Sequence, residues 1–517
     1  MNDKYNLLEE AWIDVIGIDN TRDSIGIKQL LLEAHQLLQV IDDSLLMQYG
    51  IYRFLIAFVS DMLNISTIED IEEILNKGYL PSNIIDNYCA DHYDKFYLFS
   101  EDRPFYQNPR IKEKNKKKSI ALLFQILPSG NNIIHFYHKF EDEHAISPSV
   151  CAKALCALTP FTAIGGRGYK ASINGKPPWY ILIKGKNLFE TLILNCTGIH
   201  IEVNDNKAPI LWKEPNIMKN TLVQQTSTLQ GLTWLPRYIY LYPRERGICT
   251  YLGKESDILV SEIEFEQAWS FEGSWIDPHV SYIKGKKGWM PLVPLKGKSL
   301  WRDIGPLMLM SEDTTNSPHE IPIVVKQFKV LNQDKVFSER ESLIIQVFGI
   351  RTDQAKFIEW NTETLSLPLK ILMDQYLEIQ VQPAIDLANQ VERILYSTIK
   401  FFAQSNNTIN ASLKSLIIAE YWRLLERSLK ENFLIKLENQ NKDDINARGQ
   451  LLENWKKTLR NTAKMVLELF LGELETNANF LRRKVETMDF FMKRLISTLF
   501  PKKDDKKRNK KSKKKGD

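Results

Sequence analysis

Apolar residues recur with two different rhythms along this chain, and the change falls near residue 370. Beyond it, Leu413, Leu416, Ile417, Tyr421, Leu424 and Leu425 repeat at intervals of three and four, the spacing of one helix face. Four such amphipathic stretches cover about 369–404, 410–437, 444–471 and 475–499. Asn-rich connections at 404–407 and 439–441, and Gly472, separate them, and Pro383 is the last proline before Pro501. Four helices with short connections predict an up-down four-helix bundle, with Pro383 kinking or starting the first.

Before residue 365 the pattern is mixed. Short β-rich runs at 179–183, 238–242, 321–325 and 342–347 alternate with Gly, Pro and Asn punctuation. Helical spacing appears at 27–45, 49–63 and 147–158, the last opening with Ser147 as cap and Pro148 as first helical residue. The expected fold class is therefore α+β: a large irregular mixed domain over 1–365, then a four-helix bundle over 366–500.

Composition is that of a globular protein, 44% hydrophobic and 26% charged over 517 residues. The longest apolar runs fall far short of a membrane span, and residues 1–10 lack a charged-then-apolar export signal. Five scattered cysteines give no disulfide framework and suit a reducing cytosol, so the expected location is cytoplasmic, away from membranes. The net charge of +4 is unevenly placed: 501–517 holds ten Lys/Arg against three Asp. That tail has no apolar residue to bury and is expected to be disordered, serving either as a solubilising tail or as a non-specific attraction to nucleic-acid backbone. A second basic cluster, 112–118, reads as a loop.

Catalytic signatures fail one by one. Gly166-Arg167-Gly168-Tyr169-Lys170-Ala171 fits a loose G-x-G-x-x-A, but a helix precedes it and Asn174, Gly175, Pro177 and Pro178 follow, the reverse of a dinucleotide turn. Gly297-Lys298-Ser299 ends like a P-loop, yet Leu292 stands where the first glycine belongs. His135, His138 and His144 have no spaced cysteines or carboxylates, and Cys249 has Leu252 where a zinc ribbon needs cysteine. No metal, cofactor or catalytic centre is expected, and the chain reads as a non-enzyme.

Other segments form an ordered set. These are 5–13 (YNLLEEAWI), 96–98 with 103–107 (FYL, RPFYQ), 128–132 with Phe136 and His138, 162–168 (TAIGGRG), 231–237 (GLTWLPR), 277–279 (DPH) with the lysines after it, and 349–356. Together with the bundle they resemble the CasA family, the large subunit of the type I-E CRISPR Cascade, over nearly the full length; the first is similar to that family's N-terminal strand.

The resemblance implies a subunit that recognises the protospacer-adjacent motif in double-stranded target DNA, starts unwinding and R-loop formation, and recruits a separate helicase-nuclease. The protein reads the motif and base pairing reads the rest. Gly165, Gly166, Arg167 and Gly168 correspond to a glycine-rich loop; glycines let backbone approach a groove closely. Thr352, Asp353 and Gln354 correspond to a glutamine hairpin whose amide replaces lost pairing at an opened base step. Lys284, Lys286 and Lys287 follow the landmark where the family has a groove-contacting lysine, with Lys286 or Lys287 favoured. Ser129, Gly130, Asn131, Asn132 and Phe136 fall in the loop that, in the family, anchors the subunit against the guide RNA 5′ end and its neighbours. The implied partners are backbone, small and guide-5′-end subunits. Lys456, Lys457, Arg460, Lys464, Arg482, Arg483, Lys484 and Arg494 give the bundle positive charge, either to follow a displaced strand or as a solvated face. The alternative from another class is a non-catalytic assembly scaffold of a ribonucleoprotein without direct motif reading.

Overall fold

A computed structural model of the chain describes residues 4–124, 144–162, 169–198, 210–213, 222–224, 226–273, 275–286, 288–295, 300–310, 318–333, 337, 340–353, 356–403, 411–440, 445–472 and 478–501. It divides into two compact units: Met1–Pro294 with His319–Ser338 and Ile344–Leu365, and Leu295–Pro318 with Glu339–Leu343 and Ser366–Asp517.

The first unit is mixed α+β. Its centre is the helix Leu45–Met62, buried almost throughout and apolar around most of its circumference, as a helix enclosed by protein must be. It packs on the helix Pro148–Phe161 at Gly50, where a Cβ would stand 2.6 Å from the Ala157 nitrogen. Around this pair lie several two- and three-stranded sheets. The sheet that positions the site has the strand Tyr180–Ile183 at one side, then Ser342–Asp353, then Lys356–Pro368.

The second unit is helical. Gln375–Ala403, Ala411–Ser428, Ile445–Gly472 and Ala478–Leu499 pack together, the first touching all three others. Polar side chains of the other helices donate to its carbonyls: Tyr421 to Ala388 at 3.1 Å, Trp455 to Ala384 at 2.9 Å and Arg483 to Phe401 at 2.9 Å. This is the expected fold class, an α+β region and a C-terminal bundle. The segment 300–308 joins this unit through Trp301, whose ring meets Trp422 edge-on at 4.8 Å.

Local readings needed correction at four places. The 27–45 stretch is a helix only at Ile27–Glu33; Leu37–Val40 is a strand paired with Ile13–Gly17, and the next helix starts at Leu45. Leu37 and Val40 are buried either way, so periodicity could not separate the two. The 321–325 run is no strand: Ile323–Gln333 is a helix, because Val324, Phe328 and Leu331 share one buried face despite the β-branched start. The 5–13 segment is not one strand either. Lys4–Asn6 and Ile13–Gly17 flank a turn closed by the Trp12 indole donating to the Leu7 carbonyl at 2.9 Å. Pro383 does not start its helix, which begins at Gln375. The basic cluster 112–118 is a loop through residue 117, as expected, and only Lys118 enters a strand, Lys118–Ser119, paired with Glu262 and Ile263. No helix among the described residues is long and apolar enough to cross a membrane.

Candidate nucleic-acid interface

Tyr180, first residue of its strand, sits at the root of three loops. On one side it pairs with Phe348, and the antiparallel register carries the 342–353 strand past it toward residue 354. On the other side it bridges Val280, again antiparallel, with the Ile181 N–H donating to the His279 carbonyl at 2.9 Å. The chain beyond Val280 therefore leaves at the same end, into the hairpin formed by Tyr282–Gly285 and Gly288–Pro291. Thirdly, the Tyr180 hydroxyl donates to the Pro160 carbonyl at 2.8 Å, and its ring meets Phe161 at 5.5 Å. Those two residues end the helix that leads into 163–168. The Thr162 carbonyl accepts from the Ser172 N–H at 3.0 Å, closing the stem of that segment.

Beneath Tyr180 lies a buried polar hub. Arg53, from the central helix, pairs with Asp277 at 2.9 Å, the side chains being 1% and 0% exposed. The same guanidinium donates to the carbonyls of Leu232 at 3.0 Å and Gly231 at 3.2 Å. It also lies 5.4 Å from the Tyr180 ring centroid and 5.8 Å from that of Trp275. Asp277 further accepts from the His279 N–H at 3.0 Å and the Asn174 amide at 2.8 Å, while its own N–H donates to the Tyr282 hydroxyl at 2.8 Å. Burial works against the Asp277 charge, but Arg53 and these donors overcome it and hold the carboxyl well below the usual carboxylate range. Two of the sequence landmarks, Gly231-Leu232 and Asp277-Pro278-His279, thus meet on one cation. Gly231 is glycine because a Cβ would lie 2.2 Å from the Trp275 ring.

The 282–291 hairpin is exposed at its far end. Lys284 faces Trp289 across the ladder, Gly285 faces Gly288, and Lys284 and Lys286 are exposed. Trp289 is 47% exposed and Met290 46%. Its base is pinned to the strand end: the Trp179 N–H donates to Leu292, whose N–H donates to Ser281, both at 2.8 Å. In the 342–368 hairpin, Arg351 and Glu359 pair at 2.7 Å two residues before Asp353. Thr352 is half-buried and Asp353 ends the strand.

The structure thus brings Thr352, Asp353, Lys284 and Lys286 onto hairpins rooted at one strand end. Gln354, Gly165, Gly166, Arg167, Gly168, Lys287, and the loop residues Ser129, Gly130, Asn131, Asn132 and Phe136 lie outside the described residues, as do His135, His138 and all of the tail after Pro501. In the bundle, several of the basic residues pair with carboxylates of their own helix, Lys456 with Glu453 at 2.6 Å and Arg482 with Glu486 at 3.0 Å. Arg483 lies 4.2 Å from the Phe401 ring centroid. Cys249 is buried and its sulfur accepts from the Ser147 N–H at 3.3 Å. Sequence reasoning missed Arg53, Tyr180 and Trp289. An arginine inside an apolar helical run was the one signal available for the first.

The fold and these converging stems define a class: a two-unit α+β protein with a helical bundle at its C-terminal end. The model for the CRISPR-associated protein Cse1 family matches residues 6–466, and the chain belongs to that family. A CasA/Cse1 protein of Thermus thermophilus is 26% identical over 490 residues, 89% of this chain and 93% of that protein. The solved structure of Thermus thermophilus CasA (Cse1) superposes with a TM-score of 0.75 at 21% identity, covering 95% of this chain and 100% of that one. A chain of a solved CRISPR RNA-guided surveillance complex gives 0.76 at 17% identity, covering 94% and 99%. At these identities the solved structures establish a shared fold.

Proposed function

We propose that this chain is the large subunit of an RNA-guided antiviral surveillance complex of type I-E. In this reading it recognises the protospacer-adjacent motif in duplex DNA, starts unwinding, and recruits a helicase-nuclease that performs the chemistry. The carrying observation is the convergence at Tyr180: the stems of the 163–168 loop, the lysine hairpin and the glutamine hairpin leave one strand end. Elements that must touch neighbouring base steps have to be held together, and a buried sheet end does so rigidly.

The roles follow from side-chain chemistry. The 163–168 segment, with Gly165, Gly166 and Gly168, brings backbone close to the minor groove, and Arg167 meets its edge or a phosphate. Lys286 or Lys287 supplies a cation at the groove. Gln354 enters the first opened base step, offering amide donors and an acceptor to bases that have lost their partner. The 129–136 loop anchors the guide RNA 5′ end and adjoining subunits.

The test is Gln354→Ala in the assembled complex, read by binding and by unwinding of a guide-matched duplex. Loss of unwinding with complex assembly intact is expected. Unchanged binding and unwinding overturn the wedge role and leave the scaffold reading in its place.

A further inference from the structure

We infer that the basic turn 112–118 is a second contact for the phosphodiester backbone of duplex DNA, beside Tyr169. The inference rests on the proposed function, and adds a surface which that reading does not use.

The turn is held in one shape from below. Glu264, fully buried on the strand Leu259–Gln267, accepts from the Glu113 N–H at 2.6 Å, the Asn115 N–H at 3.1 Å and the Tyr242 hydroxyl at 2.6 Å. The Asn115 amide also donates to the Glu266 carboxylate. Glu113 adopts a φ of 60°, a left-handed conformation rare for a residue with a Cβ, and its bonded N–H fixes it there. Two acids of the strand are thereby committed to the turn's own amides.

Four lysines of the turn are open to solvent: Lys112, Lys114, Lys116 and Lys117. Lys117 lies 4.0 Å from the Tyr242 ring centroid and 3.5 Å from the half-exposed Glu262 carboxylate. Lys112 lies 5.6 Å from the Tyr240 ring, and the two tyrosines meet edge-on at 5.1 Å. Among the described residues no acid pairs with Lys114 or Lys116.

Position links this turn to the reading loops. Lys118 points inward and donates to the Phe265 carbonyl at 3.1 Å and to the Tyr169 hydroxyl at 3.2 Å. Tyr169 is the residue that follows 163–168. Arg237 stacks on the same ring at 5.1 Å and donates to the Lys170 carbonyl at 2.7 Å. Through Lys118 and Tyr169 the turn is tied to the chain that emerges from 163–168, the segment to which the proposed function assigns the groove contact. Lysines there position the duplex without reading sequence, and a turn already fixed by Glu264 spares the ordering cost of binding.

The experiment compares wild-type complex, the Lys114→Gln/Lys116→Gln variant and the Lys114→Arg/Lys116→Arg variant. The probe is a guide-matched duplex library with varied flanking motif, titrated between 50 and 200 mM salt. With glutamine, affinity is expected to fall about tenfold for every flanking motif alike. The dependence of log affinity on log salt should become shallower by about one for each lysine that meets a phosphate, and arginine should restore both. Affinity and salt dependence equal to wild type overturn the inference. So does a glutamine variant that fails to assemble, which would make the turn a docking point for an acidic protein surface. If the wild type shows no ranking of flanking motifs while the salt dependence still changes, the motif-reading role fails and the backbone contact stands.

Discussion

Arg53 and Asp277 form an ion pair of 2.9 Å in which neither side chain meets solvent, and the carbonyls of Gly231 and Leu232 share the same guanidinium. Three distant stretches of sequence are tied at that point. Removing one partner strands the other charge in the interior, so Asp277→Ala should cost about 3–5 kcal/mol of stability. Replacing both with apolar residues of similar volume should cost much less. Urea denaturation of the two variants checks the difference.

Acid should weaken the same joint. Burial opposes the Asp277 charge, but Arg53 prevails and the folded carboxyl titrates well below its unfolded value of about 3.9. A lowered carboxylate pKa contributes stability that is complete above the unfolded value and drains away as pH falls through the folded one. The acid limb of a stability-against-pH curve should therefore be shallower in Asp277→Asn than in wild type between about pH 4 and pH 2.

Lys184 gives the opposite expectation at alkaline pH. Burial pushes its ammonium down to about 8, while its Nζ donates to Gln39 at 3.1 Å and lies 5.7 Å from the Tyr52 ring. The folded state holds the proton less tightly than the unfolded chain, so this group's contribution rises as pH climbs from about 8 toward 10.4. Lys184→Met should raise stability by about 1–2 kcal/mol at pH 7, and the gain should shrink by pH 10.

Tyr180→Phe removes one hydroxyl that donates to Pro160 at 2.8 Å and accepts from Asn174 at 3.2 Å. The loss should be about 1 kcal/mol in stability. In the assembled complex it should also flatten the ranking of flanking motifs, although Tyr180 is buried. A preserved ranking would mean that the three stems keep their spacing without this bond.

In the helical unit, Trp422 packs on Trp301, its indole donates to Glu392 at 3.2 Å, and Arg302 pairs with that carboxylate at 2.9 Å. Trp422→Ala should cost about 3–5 kcal/mol, through the cavity and the loss of the anchor for the 300–308 segment. Thermal unfolding followed by tryptophan fluorescence measures it.

What the sequence determined by itself is what repeats over many residues. The bundle helices announce themselves because a 3.6-residue period sustained over several turns has one structural answer. The strands at 179–183, 238–242 and 342–347 were legible from β-branched and aromatic runs bounded by turn residues. The family was legible because short motifs kept their order. Short apolar runs were not: 37–40 and 323–333 satisfy more than one period, and tertiary burial chose between them. Nor could a sequence place Trp301 against Trp422, since the segment carrying it is followed by a long β hairpin before the bundle begins. Above all, Tyr180 has no local signature, and Arg53 in its apolar helical run does not say which carboxylate will meet it. An arginine is tolerated in the protein interior only when a distant carboxylate and carbonyls arrive to meet it, and that meeting exists only in the folded chain.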